Sequence, residues 1–321
     1  MVELPSQTLT IDAIYKHYET SNGDWRRDHL GASLIGTECE RSLWYTFRWA
    51  SNPNFDGRML RLFKTGYIEE SRVVNDLRSI GIELYDRDPS TGKQIHYSDF
   101  GGHFAGSLDA IGIKFPEAPA TWHVVELKSS NTKSFQQMRL KGVEITKPSH
   151  YFQMQCYMHW SKLERAMYIM VCKETDAIYQ ERVYYNKEVA ERLISKARRI
   201  IFSENPSFKI SNDMESFGCR YCPHKNVCSG KELPEINCRT CAMATPEENG
   251  TWTCGRTENV ICSSIQRAGC IGHIFIPSLV PLELINADPE AGTVTYAGDI
   301  VNGPGHIESK DLREVIYGKS V

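Results

Sequence analysis

No run of this chain is long and apolar enough to suggest a membrane span. The stretch 274–285 is apolar but too short, and Pro277 and Pro281 interrupt it. No basic segment followed by an apolar stretch opens the sequence, so no signal peptide is expected. Internal repeats and low-complexity tracts are absent, which sets aside repeat arrays and biased linkers. A strong charge of either sign is missing too. The net charge of −3 removes any global basic signature for nucleic acid but leaves room for local patches. Arg58, Arg61 and Lys64 form one such group, and Lys133, Arg139, Lys141 and Lys147 another; each reads equally well as a solvated face. A cytoplasmic location is expected from these absences. Thiols stay reduced there, and clustered cysteines bind metal more often than they form disulfides.

Cysteine is what the sequence does have, with eleven in the chain. One cluster reads Cys219-Arg-Tyr-Cys222 and then Cys228. A second begins Cys238-Arg-Thr-Cys241 and continues through Cys254 to Cys270, with Cys262 between and His273 just after. A C-x-x-C pair lets two thiolates from one tight turn face one ion, so two such groups predict two metal centres. Cys238, Cys241, Cys254 and Cys270 fit a structural zinc site, because four thiolates leave no open position; His273 or Cys262 are alternates for one member. Cys156 and Cys172 fall in core-like segments and read as buried thiols.

Periodicity predicts a helix over 58–80, with Leu60, Phe63, Tyr67, Val74 and Leu77 on one stripe. Strands are predicted over 104–113, 122–128, 166–171 and 178–185, and helices over 149–160 and 188–202. This order predicts an α/β fold, a central mixed β-sheet flanked by helices. The polar stretch 206–218 reads as a linker. Beyond it the chain is cysteine-rich and short of periodic segments, so metal rather than core is expected to hold it, with turns at Asp288-Pro289 and Asn302-Gly303-Pro304 suited to small hairpins. The expected domains are 1–230 and a small Cys-rich, metal-stabilised C-terminal domain over 231–321.

Three carboxylates and a lysine stand out. Glu126 and Lys128 are two apart on a predicted strand and point to one face, and Asp109 lies on the preceding strand. Glu70 sits on the apolar stripe of the first helix, where a carboxylate needs a cation or a donor. Its neighbour Glu69 points about 100° away and is expected in solvent. Acidic oxygens converging from a helix and two strands suit a hard cation such as Mg²⁺ or Mn²⁺. A lysine beside them can orient a water or stabilise charge on a phosphate. An ordinary sheet-edge salt bridge explains Asp109, Glu126 and Lys128 as simply, and a second E-x-K, Glu308-Ser-Lys310, shows how readily that pattern arises. Gln153 and Tyr157, four apart, share a helix face, with His150 and Trp160 on the same side.

Taken in order, Gly66-x-x-x-Glu70, Gly106-Ser107-Leu108-Asp109, Glu126-Leu127-Lys128 and Gln153-x-x-x-Tyr157 resemble the motifs of the PD-(D/E)xK nucleases of the RecB type. Cys39, in Cys-x-Arg-Ser-Leu-Trp-Tyr, with Cys219, Cys222 and Cys228 far downstream, resembles their iron–sulfur subgroup, which includes the Cas-four nucleases of CRISPR adaptation and the AddB-type helicase–nucleases. The resemblance covers roughly Gly31 to Cys228. Glu70 stands where CRISPR-associated members often carry His and is closer to other RecB-like and phage exonucleases. The resemblance implies a restriction-endonuclease-like core. It also implies that Glu70, Asp109, Glu126 and the Leu127 carbonyl bind Mg²⁺ or Mn²⁺, that Lys128 positions the attacking water, and that Gln153 and Tyr157 support the site and the DNA strand. It implies a [4Fe–4S] cluster on Cys39, Cys219, Cys222 and Cys228, closing a loop of about 190 residues. A structural zinc on the same thiolates, or Cys39 as a buried thiol, are the alternatives. The implied activity is a DNA exonuclease acting on single-stranded ends, with 5′-to-3′ polarity favoured. A double-strand-resecting phage-type recombination exonuclease and a non-catalytic DNA-end-binding or CRISPR-adaptation subunit are the other readings.

Overall fold

A computed structural model describes residues 8–21, 23–24 and 26–318. The chain groups into two compact units. The first comprises Met1–Trp25, Pro53–Tyr97 and Gly106–Glu191, and the second Arg26–Asn52, Ser98–Ala105 and Arg192–Val321. The expected boundary after residue 230 falls inside the second unit.

In the first unit, helix α1 (Leu9–Ser21) precedes α2 (Gly57–Ser79). Asp56 caps α2 by accepting the Met59 N–H at 2.7 Å, satisfying one of the donors that a helix start leaves free. Leu60, Val73 and Val74 are its buried residues, and Leu77 packs against the core. Tyr67, expected on the buried stripe, is instead 67% exposed. Periodicity marks a face but not whether anything covers it, and the middle of α2 around Tyr67 and Ile68 stays open.

A five-stranded sheet follows: β1 (Glu83–Tyr85), β2 (Ala110–Ile113), β3 (His123–Ser130), β4 (Arg165–Cys172) and β5 (Ile178–Tyr184), side by side in that order. β3 and β4 are parallel, and the other neighbours are antiparallel. A parallel pair needs a long crossover. Here it is two helices, α3 (Thr132–Thr146) and α4 (Pro148–Ser161). β4 is buried from Ala166 to Cys172 on both faces, as a central strand must be. Val73, Val74, Val125, Leu127, Met167 and Ile169 share one core cluster. The mixed sheet flanked by helices is the fold the sequence predicts. The predicted strand over 104–113 is two strands, Phe104–Ser107 and β2, with Leu108 and Asp109 between them. Periodicity did not reveal α1, β1 or α3.

Helix α3 is itself interrupted at Gly142. Its φ of 73° and ψ of 174° belong to a region essentially reserved for glycine, and a Cβ there would lie 3.0 Å from Glu181 Oε1. Glu181, on β5, accepts the Val143 N–H at 2.8 Å and the Tyr179 hydroxyl at 2.7 Å. One carboxylate thereby holds the restart of α3 after its break.

In the second unit the region after residue 230 is not held by metal ligands alone, contrary to the expectation. Leu233, Trp252, Ile261, Phe275, Ile276, Val294, Tyr296 and Leu312 are buried. Arg239, 2% exposed, lies 3.7 Å over Trp49 and 4.8 Å over Trp252, and donates to the carbonyls of Phe47 and Asp28 and to Gln266. Burying a guanidinium is tolerable only with such a full set of partners. Leu284–Asp288, Thr293–Tyr296 and Ile300–Asn302 form an antiparallel sheet, as the turn at Asp288-Pro289 suggested. Among the described residues no strand follows the turn at 302–304, only an isolated bridge between Asn302 and Ile307.

Gly142→Ala is expected to lower unfolding stability by about 1–3 kcal/mol. Gly66→Ala, where a Cβ meets open space inside α2, should instead raise it by up to about 1 kcal/mol. Chemical denaturation of both variants beside the parent checks the pair.

Candidate active site

Two residues apart on β3, Glu126 and Lys128 share one face of the sheet. The register Ala110↔Val125 brings Asp109, at the mouth of β2, opposite Glu126. Asp109 Oδ2 accepts the Leu127 N–H at 2.7 Å and lies 3.6 Å from Lys128 Nζ. Lys128 Nζ forms an ion pair with Glu126 Oε1 and donates to the Leu127 carbonyl at 3.0 Å. Glu126 is fully buried, and neither of its oxygens has a well-formed hydrogen bond beyond that ion pair. A carboxylate in that position is costly unless a positive charge faces it.

The electrostatics follow from this crowding. Burial pushes the Glu126 carboxyl well above the usual carboxylate range; Lys128 opposes the shift and Asp109 adds to it. Burial alone would lower Lys128, but Glu126 and Asp109 outweigh it and hold the ammonium charged. Glu70 is raised to about 7, first by burial and next by Asp109, with Lys128 opposing. Glu70 therefore feels the same cluster from α2. Glu69, expected in solvent, is mostly buried and paired with Arg72 at 3.3 Å. A neighbouring arginine one turn on gave it a partner that the wheel angle did not reveal.

Gln153 and Tyr157 meet as the helix spacing implies. Gln153 Nε2 donates to Tyr157 Oη at 3.2 Å, and Tyr157 donates to the Ser107 carbonyl at 2.7 Å, two residues before Asp109. Burial, with Glu126 adding, keeps the Tyr157 phenol protonated. Tyr168 escaped sequence reasoning. It pairs with Glu126 across the β3–β4 register, and its hydroxyl lies 2.9 Å from His150 Nδ1. Burial, then Lys128 and Lys147, push His150 down to about 3, so it is neutral. Only the register of a parallel pair reveals Tyr168, and no local pattern encodes that. Glu308 and Lys310, the other E-x-K, form an exposed pair at 2.8 Å.

The cysteines all have free thiols. Cys39, Cys219, Cys222 and Cys228 line one open pocket, with Arg41, Tyr45 and Lys209. Ser42 Oγ lies 3.6 Å from Cys222 Sγ, so the segment after Cys39 touches the downstream cluster. Burial raises Cys228; Arg41 and Lys209 oppose, and Cys39 and Cys222 add. Cys238 is pushed up to about 11 by burial, then by Cys241, Cys270 and Cys254, which places those four thiols within electrostatic reach of each other. Cys262 is exposed beside Ser264. His273 has both ring nitrogens engaged, Nδ1 with Ser309 Oγ at 2.8 Å and Nε2 with Thr240 Oγ1 at 3.3 Å. Cys156 and Cys172 are buried, as expected. Among the described residues, no three His, Cys, Asp or Glu side chains are drawn together closely enough to enclose a single ion. No described helix is long and apolar enough to cross a membrane.

Residues 21–229 match the family model of the PD-(D/E)XK nuclease superfamily. No curated protein matches the chain. Among solved structures, an alkaline exonuclease from Laribacter hongkongensis aligns at 15% identity and a TM-score of 0.37, over 58% of this chain and 90% of its own. A phage related exonuclease from Haemophilus somnus 129PT aligns at 11% identity and a TM-score of 0.38, over 54% of this chain and 91% of its own. At these values the likeness adds no weight on function.

Carboxyls raised by folding bind protons more tightly folded than unfolded. Stability of the metal-free protein is therefore full below the ordinary carboxylate pKa near 4.5 and falls as pH rises through about 7. Glu126→Gln and Glu70→Gln should each flatten that fall. Denaturation midpoints at pH 5 and pH 8 check it, and equal pH dependence in parent and variants contradicts it.

Proposed function

Because the chain belongs to the PD-(D/E)XK nuclease superfamily, we propose that it is a metal-dependent DNA exonuclease that hydrolyses phosphodiester bonds at single-stranded ends, with 5′-to-3′ polarity. The observation that carries this reading is Glu126: a fully buried carboxylate opposed only by Lys128, with Asp109 beside Lys128 and Glu70 raised by burial and then by Asp109. Such a set has an unmet need for positive charge, and its donors are oxygens, which suits a hard cation. The donor chemistry of these residues suits the ion that the superfamily implies, though as placed no three of the side chains enclose one point. Asp109, Glu126, Glu70 and the Leu127 carbonyl would hold Mg²⁺ or Mn²⁺. When bound, the ion supplies Lewis acidity toward the phosphate oxygens.

The chain's own groups do the rest. Asp109 is held by the Leu127 N–H, so its free oxygen is aimed rather than mobile. Lys128 keeps its proton and is anchored by Leu127 O, in a position to orient the attacking water and to offset charge on the scissile phosphate. Tyr157 and Gln153 brace the strand that carries Asp109 through the Ser107 carbonyl.

The two cysteine groups belong to the same proposal. Cys39, Cys219, Cys222 and Cys228 line one pocket, and four thiols are the ligand set of a [4Fe–4S] cluster, so they are proposed as its ligands. Cys238, Cys241, Cys254 and Cys270 are proposed as structural zinc ligands. The engaged nitrogens of His273 weigh against that alternate, and Cys262, unlike Cys270, is not among the thiols that act on Cys238.

Purified without oxygen and given end-labelled DNA with Mg²⁺ or Mn²⁺, the protein should shorten single strands from their ends. Asp109→Ala, Glu126→Gln and Lys128→Ala should each lower the rate about 10³-fold or more while the fold persists. Any of the three cutting near the parental rate contradicts the site. Cys39→Ala should lose iron, and Cys238→Ala should lose about one zinc and keep its iron. Metal analysis that finds iron retained in Cys39→Ala, or two zincs and no iron in the parent, contradicts the cluster assignment.

A further inference from the structure

Gln153, Tyr157 and Trp160 lie at i, i+4 and i+7 on α4, one above another along a single face. At the inner end, Tyr157 is buried against the Ser107 carbonyl beside Asp109. Trp160, one turn further on, is half-buried, with its ring centroid 6.1 Å from that of Tyr157. Beyond it Tyr97, also half-buried, stacks on Trp160 at 6.5 Å with the planes 24° apart. The helix then ends in a left-handed cap at Lys162, whose φ is 59° and whose side chain is exposed. A row of aromatic rings thus runs from Tyr157, beside the carboxylate cluster, to half-buried Tyr97, and the exposed Lys162 follows Trp160 by two residues.

We propose that Trp160 and Tyr97 form a stacking platform for one unpaired nucleobase next to the scissile phosphate. The inference rests on the nuclease reading of the same site and adds to it a cause for strand preference. The ligand class follows from the geometry. A strand whose phosphate sits at Asp109 and Glu126 must carry its neighbouring base past the next group along the face, and that group is Trp160. Every base has a flat π face, so aromatic stacking holds a strand without reading its sequence. In a duplex those faces already lie against each other, so the platform favours an unpaired end over a paired one. Lys162 is placed to meet a phosphate of the same nucleotide run.

The test has two arms. In the first, cleavage of a single-stranded oligonucleotide and of a blunt duplex is measured for the parent, Trp160→Ala, Trp160→Phe and Tyr97→Leu. Trp160→Ala should raise KM for the single strand about 10- to 100-fold, the range that one lost base stack gives. It should leave kcat within about threefold and change the duplex KM far less. Trp160→Phe should recover most of the loss, and Tyr97→Leu should repeat it in weaker form. An unchanged single-strand KM overturns the proposal. So does a fall in kcat that Phe does not restore, which marks Trp160 as a packing residue only. The second arm does not need cleavage. Single strands carrying 2-aminopurine at successive positions are bound to the full-length protein in EDTA. Quenching should peak at one position and disappear in Trp160→Ala; quenching that is absent or even along the strand overturns the platform. Failure of the nuclease reading looks different, since the parent then cuts neither substrate while the second arm still reports on the platform.

Discussion

The buried charge of Glu126 is the constraint around which the first unit is arranged. Its carboxyl is fully enclosed, and the groups that answer it come from what the sheet itself places nearby. Lys128 arrives because a strand repeats every two residues. Asp109 arrives because an antiparallel register ends where β2 begins, and the Leu127 N–H fixes it there. Two strands must hold their register for this cluster to form. A slip by a single residue would turn Glu126 and Lys128 to the other face and bury an unpaired charge. The same logic explains why Lys128 is held protonated while Glu70 and Glu126 are pushed toward their neutral forms. The cluster is short of positive charge, and a cation would relieve it.

The supports around that cluster are as specific as the cluster. Glu181 on β5 holds the break at Gly142 inside α3, and α4 carries Gln153 and Tyr157 to the Ser107 carbonyl. In the second unit, Arg239 is enclosed by Trp49, Trp252 and backbone carbonyls, so the region after residue 230 has a core of its own. A proposed metal there would add to existing packing rather than replace it.

Much of this was legible in the sequence where chemistry and period coincide. The central helix, the strand carrying Glu126 and the pairing of Gln153 with Tyr157 follow from periods of 2 and 3.6. Asp109, by contrast, lies in a break between two strands that the period did not show. What was not legible depends on partners distant in sequence. Tyr67 reads as buried by its period but has nothing facing it. Glu69 reads as solvated, yet Arg72 folds over it. Tyr168 reaches Glu126 only through a parallel register, and helix α3 was hidden because a glycine break and an exposed face, with Leu140 and Ile145 open to solvent, blur its period. The cysteine region was expected to lack a core because its apolar residues sit in short, irregular segments that carry no period at all.

The claim that the Glu126 cluster awaits a hard cation is tested most directly by its protons. Mg²⁺ is titrated calorimetrically into metal-free protein near pH 6.5, in two buffers of different ionisation enthalpy, so that proton release is read alongside binding. Carboxyls held partly protonated by burial must give up protons when the cation binds. The account predicts saturable binding with a net release of protons, and loss of both in Asp109→Asn. Binding without proton release, or binding that survives unchanged in Asp109→Asn, would contradict it.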